Sequence, residues 1–132
     1  MGNPRATLTH MKALRIYEYK NCSTCRKALK YLDEQGVSYD RIAIREQPPT
    51  MAELKKMLKA LNGELKRMFN TSGGDYKSMN MKDRFPTLTD AEALELLAAN
   101  GNLIKRPFVI QGNDGVIGFK QNEWDAFLER QN

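Results

Sequence analysis

Apolar and polar residues alternate along residues 14–19 (LRIYEY), where Leu14, Ile16 and Tyr19 are strand-like, and again along residues 37–44 (VSYDRIAI). A period of two places alternate side chains on one face of an extended chain, so both stretches predict strands. Between them the period lengthens. Cys25, Ala28, Leu29 and Leu32 recur at helical spacing, after the turn and capping types of residues 20–23 (KNCS) and before Gly36. This predicts a helix running from Thr24 to the glycine.

After the breaker at residues 47–50 (QPPT), Thr50 stands three positions before Glu53, the spacing of a capping box. Met51, Leu54, Leu58 and Leu61 then mark one face of a helix that should stop near Asn62 and Gly63. Residues 64–69 extend as a short helix into a permissive loop, residues 70–75 (NTSGGD). Thr89 and Glu92 repeat the capping spacing and open a helix expected to turn Ala91, Leu94 and Ala98 inward and to end at Asn100 and Gly101. Two short strands, residues 108–110 and 116–119, flank the turn-rich residues 111–115, and Trp124, Phe127 and Leu128 stripe a terminal helix. Strand, helix, strand implies a right-handed parallel crossover, and the later hairpin makes the sheet mixed. The expected fold is α/β, a mixed central sheet with a helical insertion.

Residues 1–11 have no apolar period, contain Pro4 and precede Met11, so they read as a flexible extension to a domain spanning residues 12–132. At this length one core is the expectation. No apolar run nears the roughly 18 residues that span a bilayer, and no basic start followed by an apolar stretch marks a secretory signal, so a cytoplasmic protein is expected. The formal charge of +5 comes from 21 Lys and Arg against 16 Asp and Glu and favours anionic partners. The basic residues are scattered and not interleaved with aromatics, which argues against a nucleic-acid platform and for solvated helix faces.

Cysteine usage changes the picture most. The chain has two, Cys22 and Cys25, three positions apart at the junction of a strand and a helix. Such spacing closes no long loop and suits redox chemistry better than a structural disulfide framework. The helix start puts unpaired backbone N–H groups and the positive dipole end at Cys22, with Lys20, Arg26 and Lys27 close by, conditions that favour a thiolate. Cys22 is therefore the candidate nucleophile. Cys25, a turn further on, is the shielded resolving thiol. The plainer alternative leaves both as small buried hydrophobes. Zinc would need four ligands, whereas these two cysteines have only His10, in the extension, to join them, so no metal is expected.

Two further segments carry candidate chemistry. Arg106 and Pro107 precede the residue 108 strand, where a cis proline would fix the chain and an arginine could bind a carboxylate or oxyanion; alternatively Arg106 is an ordinary surface arginine. Ser72 and Gly73, in the residue 70–75 loop, could offer backbone amides to an anion or form a plain connection, and the stretch lacks the lysine and spacing of a P-loop.

Residues 17–37 (YEYKNCSTCRKALKYLDEQGV), 69–73 (FNTSG), 103–110 (LIKRPFVI) and the GF-x4-W of residues 118–124 together resemble the arsenate reductase-like family. That family includes glutaredoxin-dependent arsenate reductases and the Spx regulators. The resemblance runs in order from Leu14 to the C-terminus and implies a thioredoxin-like fold. It matches Cys22 to the catalytic cysteine and Arg106 to the arginine before the family's proline, with Pro107 near the thiol. Lys120 falls near where an oxyanion-binding arginine would stand. Classical arsenate reductases of this kind use one active-site cysteine and an external thiol, whereas Cys25 provides an internal partner here. Spx-like regulators have a CxxC switch and bind the RNA polymerase α subunit, while FNTSG is more similar to uncharacterised reductase-like members. The resemblance implies thiol–disulfide exchange without a bound cofactor, with glutathione, glutaredoxin or thioredoxin as reductant. Arsenate reduction and redox-controlled transcriptional regulation are the alternatives.

Overall fold

The computed structural model describes residues 13–131, so the expected extension and His10 lie outside the described residues. Four strands, β1 (Leu14–Glu18), β2 (Tyr39–Ala43), β3 (Phe108–Gln111) and β4 (Asp114–Ile117), form one sheet in the order β2-β1-β3-β4. β1 and β2 are parallel, with Leu14 opposite Tyr39, while β3 pairs antiparallel with both β1 and β4. This is the mixed sheet expected, and the fold is thioredoxin-like.

Helix α1 (Ser23–Gln35) makes the crossover, starting on Cys22 and ending where Gly36 takes φ 70° and Val37 N–H donates to Leu32 O. Only a residue without a Cβ adopts that left-handed turn at little cost. The helices α2 (Met51–Ala60) and α5 (Asp90–Ala99) both begin with complete capping boxes, at Thr50 with Glu53 and at Thr89 with Glu92. A last helix, α6 (Gln121–Arg130), follows β4.

The insertion is more helical than its sequence suggests. Gly74 and Asp75, expected in a loop, open α3 (Gly74–Ser78), and α4 (Met81–Arg84) follows, with single 3-10 turns at Leu65–Met68, Phe85–Thr87 and Gly101–Leu103. Elements of one turn are too short to show a period, which is why residues 76–88 give no signal. In α5 the inward residues are Ala93, Leu94 and Leu97; Ala91 is exposed and Ala98 half-buried. Every position of this helix is apolar or acidic, so the apolar face cannot be read from spacing alone. Phe119 lies beyond β4, because Gly118 turns the chain at φ 67°.

Two cores sandwich the sheet. On one face Leu14 and Ile16 of β1 pack with Ala28, Tyr31 and Leu32 of α1 and with Trp124, Phe127 and Leu128 of α6. On the other, Tyr17 and Phe108 pack with Leu54 and Met57 of α2 and with the insertion's Met68, Phe69 and Leu97. Trp124 is fully buried, and its indole N–H donates to Gly118 O at 2.8 Å. Burying a large apolar side chain contributes about 1.5–3 kcal/mol, and the N–H needs this partner inside.

Candidate functional site

β1 delivers the chain to a tight turn in which Cys22 N–H donates to Tyr19 O at 3.0 Å. The Arg26 guanidinium reaches back to Lys20 O at 3.1 Å and braces the same turn. Cys22 then caps α1 with its side chain, Sγ accepting from Cys25 N–H at 3.3 Å. A cysteine in a position usually held by Ser, Thr, Asp or Asn has its sulfur aimed at the helix N-terminus. It remains partly exposed, while Cys25 is 1% exposed. Burial, first, and contact with the Cys22 sulfur push the Cys25 thiol up to about 12, so it is protonated at neutral pH.

Cys22 opens into a cleft of about 610 Å³. Four separate segments build its wall: the start of α1, the 3-10 turn with residues 69–72, residues 105–106 before β3, and residues 117–123 from the end of β4. An isolated antiparallel bridge between Phe69 and Ile104 ties two of them together. It is extended by Asn70 N–H to Leu103 O at 2.7 Å and Lys105 N–H to Met68 O at 2.9 Å. The residue 69–72 loop is thereby held beside Arg106.

The bond between Arg106 and Pro107 is cis, as expected, and Pro107 O accepts from Gly118 N–H at 2.8 Å. Arg106 lies over the Tyr19 ring at 5.3 Å, and Arg45 over the same ring at 3.9 Å. The Tyr19 hydroxyl accepts from Asn21 Nδ2 at 3.1 Å. An aromatic face with two guanidinium groups is a platform that orients the arginine at the cleft mouth.

Of the residues singled out in the sequence, Cys22, Arg106, Ser72 and Lys120 line the cleft together. Gly73 is the N-cap of α3 just outside it, Cys25 lies beneath Cys22, and Pro107 shapes the wall without lining it. Lys20, Arg26 and Lys27 do not line it. The nearby cations are instead Lys66, Arg67 and Lys105, together with Arg106 and Lys120, against the single acid Glu123. Arg67 is paired to Glu123 at 3.0 Å, leaving the other four facing the space. The adjacent Lys66 and Arg67 just before the residue 69–73 segment were the signal for this, but nothing local to them says that they meet Cys22. Among the described residues no group of three or more metal-ligating side chains is clustered.

Comparisons with known proteins agree with this architecture. A model of the ArsC family matches residues 17–127. The chain is 42% identical over 113 residues to the uncharacterized protein YusI of Bacillus subtilis, covering 86% of this chain and 96% of that one. A crystal structure described as a possible arsenate reductase from Streptococcus mutans superposes with a TM-score of 0.78 at 40% identity, covering 85% of this chain and 97% of the other. The global transcriptional regulator Spx of Enterococcus faecalis is 29% identical over 118 residues, 89% of this chain and 87% of the regulator.

Proposed function

The chain belongs to the ArsC family, and on that premise we propose that it is a thiol–disulfide oxidoreductase in which Cys22 is the nucleophile and Cys25 the resolving thiol. The observation that carries this reading is the pairing of a partly exposed sulfur at a helix N-terminus with a buried thiol one turn away, bonded through the Cys25 N–H at 3.3 Å. Cys22 sulfur attacks a disulfide on a protein or on glutathione and forms a mixed disulfide, releasing the first thiol. Cys25 then displaces the second, and an external glutathione, glutaredoxin or thioredoxin returns both cysteines to thiols in the cytosol. Arg106, with Lys105 and Lys120, holds the carboxylates of an acidic thiol substrate over the sulfur. With a glutathione mixed disulfide as substrate and a coupled reductant, the reduced chain is expected to release the target thiol. Cys22→Ser should not exceed the buffer rate; equal rates would overturn the assignment.

The four unpaired cleft cations favour a second reading, reduction of an oxyanion such as arsenate by Cys22, with Arg106 binding the oxygens. Arsenate-dependent consumption of reductant above the Cys22→Ser control distinguishes it. Similarity to Spx supports a third, in which the Cys22–Cys25 pair controls binding to the RNA polymerase α subunit. Co-purification of that subunit with the reduced and oxidised chain tests it.

A further inference from the structure

The sheet has two edge strands, and they are protected differently. β2 carries exposed Asp40 and Arg41, charges that discourage a further strand from pairing there. β4 has no such cover. Val116 packs into one core and Ile117 into the other, at 6% and 2% exposure, and Gly115 has no side chain to shield the edge.

The register says which backbone groups of β4 face outward. Gly118 N–H donates to Pro107 O at 2.8 Å, and bonded pairs alternate along an antiparallel ladder. Val116 with Val109 and Asp114 with Gln111 are then the bonded pairs, whereas Ile117 opposite Phe108 and Gly115 opposite Ile110 turn their N–H and C=O away from β3, to the side where no strand lies. At the Asp114 end this edge is closed, since the Asp114 carboxylate accepts from Gly115 N–H at 2.8 Å and from Arg130 and Gln131. Beyond that, the edge borders a groove of about 210 Å³ between α2 and α6, where Ala60 and Ala126 leave room. The groove runs into the Cys22 cleft, because Ile117, Arg67 and Glu123 line both. The Arg67–Glu123 pair at the junction is half exposed, so it parts at little cost.

We propose that the free edge of β4 docks the main chain of a protein substrate: an extended, acidic segment adds as a fifth strand beside Gly115 and Ile117 and so delivers its oxidised cysteine to Cys22. This rests on the disulfide-exchange reading above and names its substrate class, a protein disulfide. Three features select that occupant. A donor and an acceptor on Ile117, with a further acceptor two residues away on Gly115, form the pattern that an extended backbone matches with alternate residues. The edge leads straight to the reactive sulfur, so a chain leaving Ile117 enters the cleft. The cleft it enters is lined by Lys66, Lys105, Arg106 and Lys120, which favour carboxylates flanking the substrate cysteine. Glutathione, a tripeptide, has too little main chain to reach along the strand from Cys22.

The test uses the full chain with Cys25→Ala, so that an adduct on Cys22 persists. Its probe is a ten-residue peptide whose central cysteine, flanked by glutamates, carries nitrothiobenzoate in a disulfide. Cys22 sulfur bonds to the peptide sulfur and nitrothiobenzoate leaves as its thiolate, so capture is read by absorbance. The capture rate should fall on the order of tenfold when one peptide residue is N-methylated and recover when the methyl moves to the next residue, a period of two. Hydrogen exchange at the Ile117 amide should slow in the peptide adduct and not in the glutathione adduct. Ala126→Trp, at an exposed position of α6, should lower the ratio of peptide capture to capture of glutathione carrying the same leaving group. N-methylation without that period, or Ile117 exchange that slows equally in both adducts or in neither, overturns the docking site and leaves the Cys22 reaction standing. A chain that sediments as a dimer with its Ile117 amide already protected gives the edge to a second copy and overturns the proposal too. A Cys22 that captures neither peptide nor glutathione overturns the disulfide-exchange reading with it.

Discussion

On one side of the sheet Glu53 knots α2 to β1; on the other Glu18 ends β1 and pairs with Arg41 of β2. The two carboxylates are equally buried, yet the first accepts from Tyr17 and Thr50 and pairs with Arg15, while the second has a single long contact to Arg41. Desolvating a carboxylate costs several kcal/mol, and only a full set of donors repays it. The region around Glu53 is therefore built for rigidity, and Tyr17 shows it: burial, then its bond to Glu53, raises its hydroxyl's pKa. The region around Glu18 is tied more loosely, through the half-exposed Arg41 at 3.5 Å.

Removing each carboxylate should break this comparison if it is wrong. Glu53→Ala takes away a helix cap, the acceptor for the Tyr17 hydroxyl and the partner of Arg15, which should lower stability by about 3 kcal/mol in urea denaturation. It should leave the alkylation rate of Cys22 unchanged. A comparable loss of stability in Glu18→Gln would mean that both carboxylates are structural.

The thiol on the Glu18 side sharpens the comparison through pH. Cys25 has its pKa raised by burial and by the Cys22 sulfur from 9.0 to about 12, so the native state holds a proton that the unfolded chain has lost. This contributes stability present in full below about pH 9 and lost as pH rises toward 12. The difference in melting temperature between the reduced native chain and Cys25→Ala should narrow across that window; a difference constant with pH would contradict it. A brief alkylation pulse at neutral pH should label Cys22 before Cys25, read by peptide mass mapping, since Cys22 is partly exposed while Cys25 is buried and holds its proton.

The smallest expected effect lies far from either carboxylate. Thr89→Ala opens the capping box of α5 and should cost about 1 kcal/mol, with no change in thiol chemistry. A change in Cys22 reactivity in this variant would show that the insertion is coupled to the thiol end of the sheet more tightly than the Phe69–Ile104 bridge implies.

What could be read directly from the chain is what short-range physics decides. Period two at residues 14–19, the cap at Cys22 and the glycine at 36 define strand, turn and helix within two dozen residues, and so place one cysteine at a helix end and the other inside it. The two capping boxes are equally local, whereas the sequence offers Pro107 as a place where a cis bond can form and the folded context selects it. Tertiary structure decided the rest. The one-turn helices after Gly73 hold together by packing, and the choice of Ala93 and Leu97 over Ala91 depends on which neighbour the helix meets. The cleft's cations come from residues 66–67, 105–106 and 120, whose approach to Cys22 is a property of sheet order and of the Phe69–Ile104 bridge. Glu18 looks, in sequence, like any polar residue of an alternating strand; it is buried only in the folded chain, and burial is a quantity no single segment possesses.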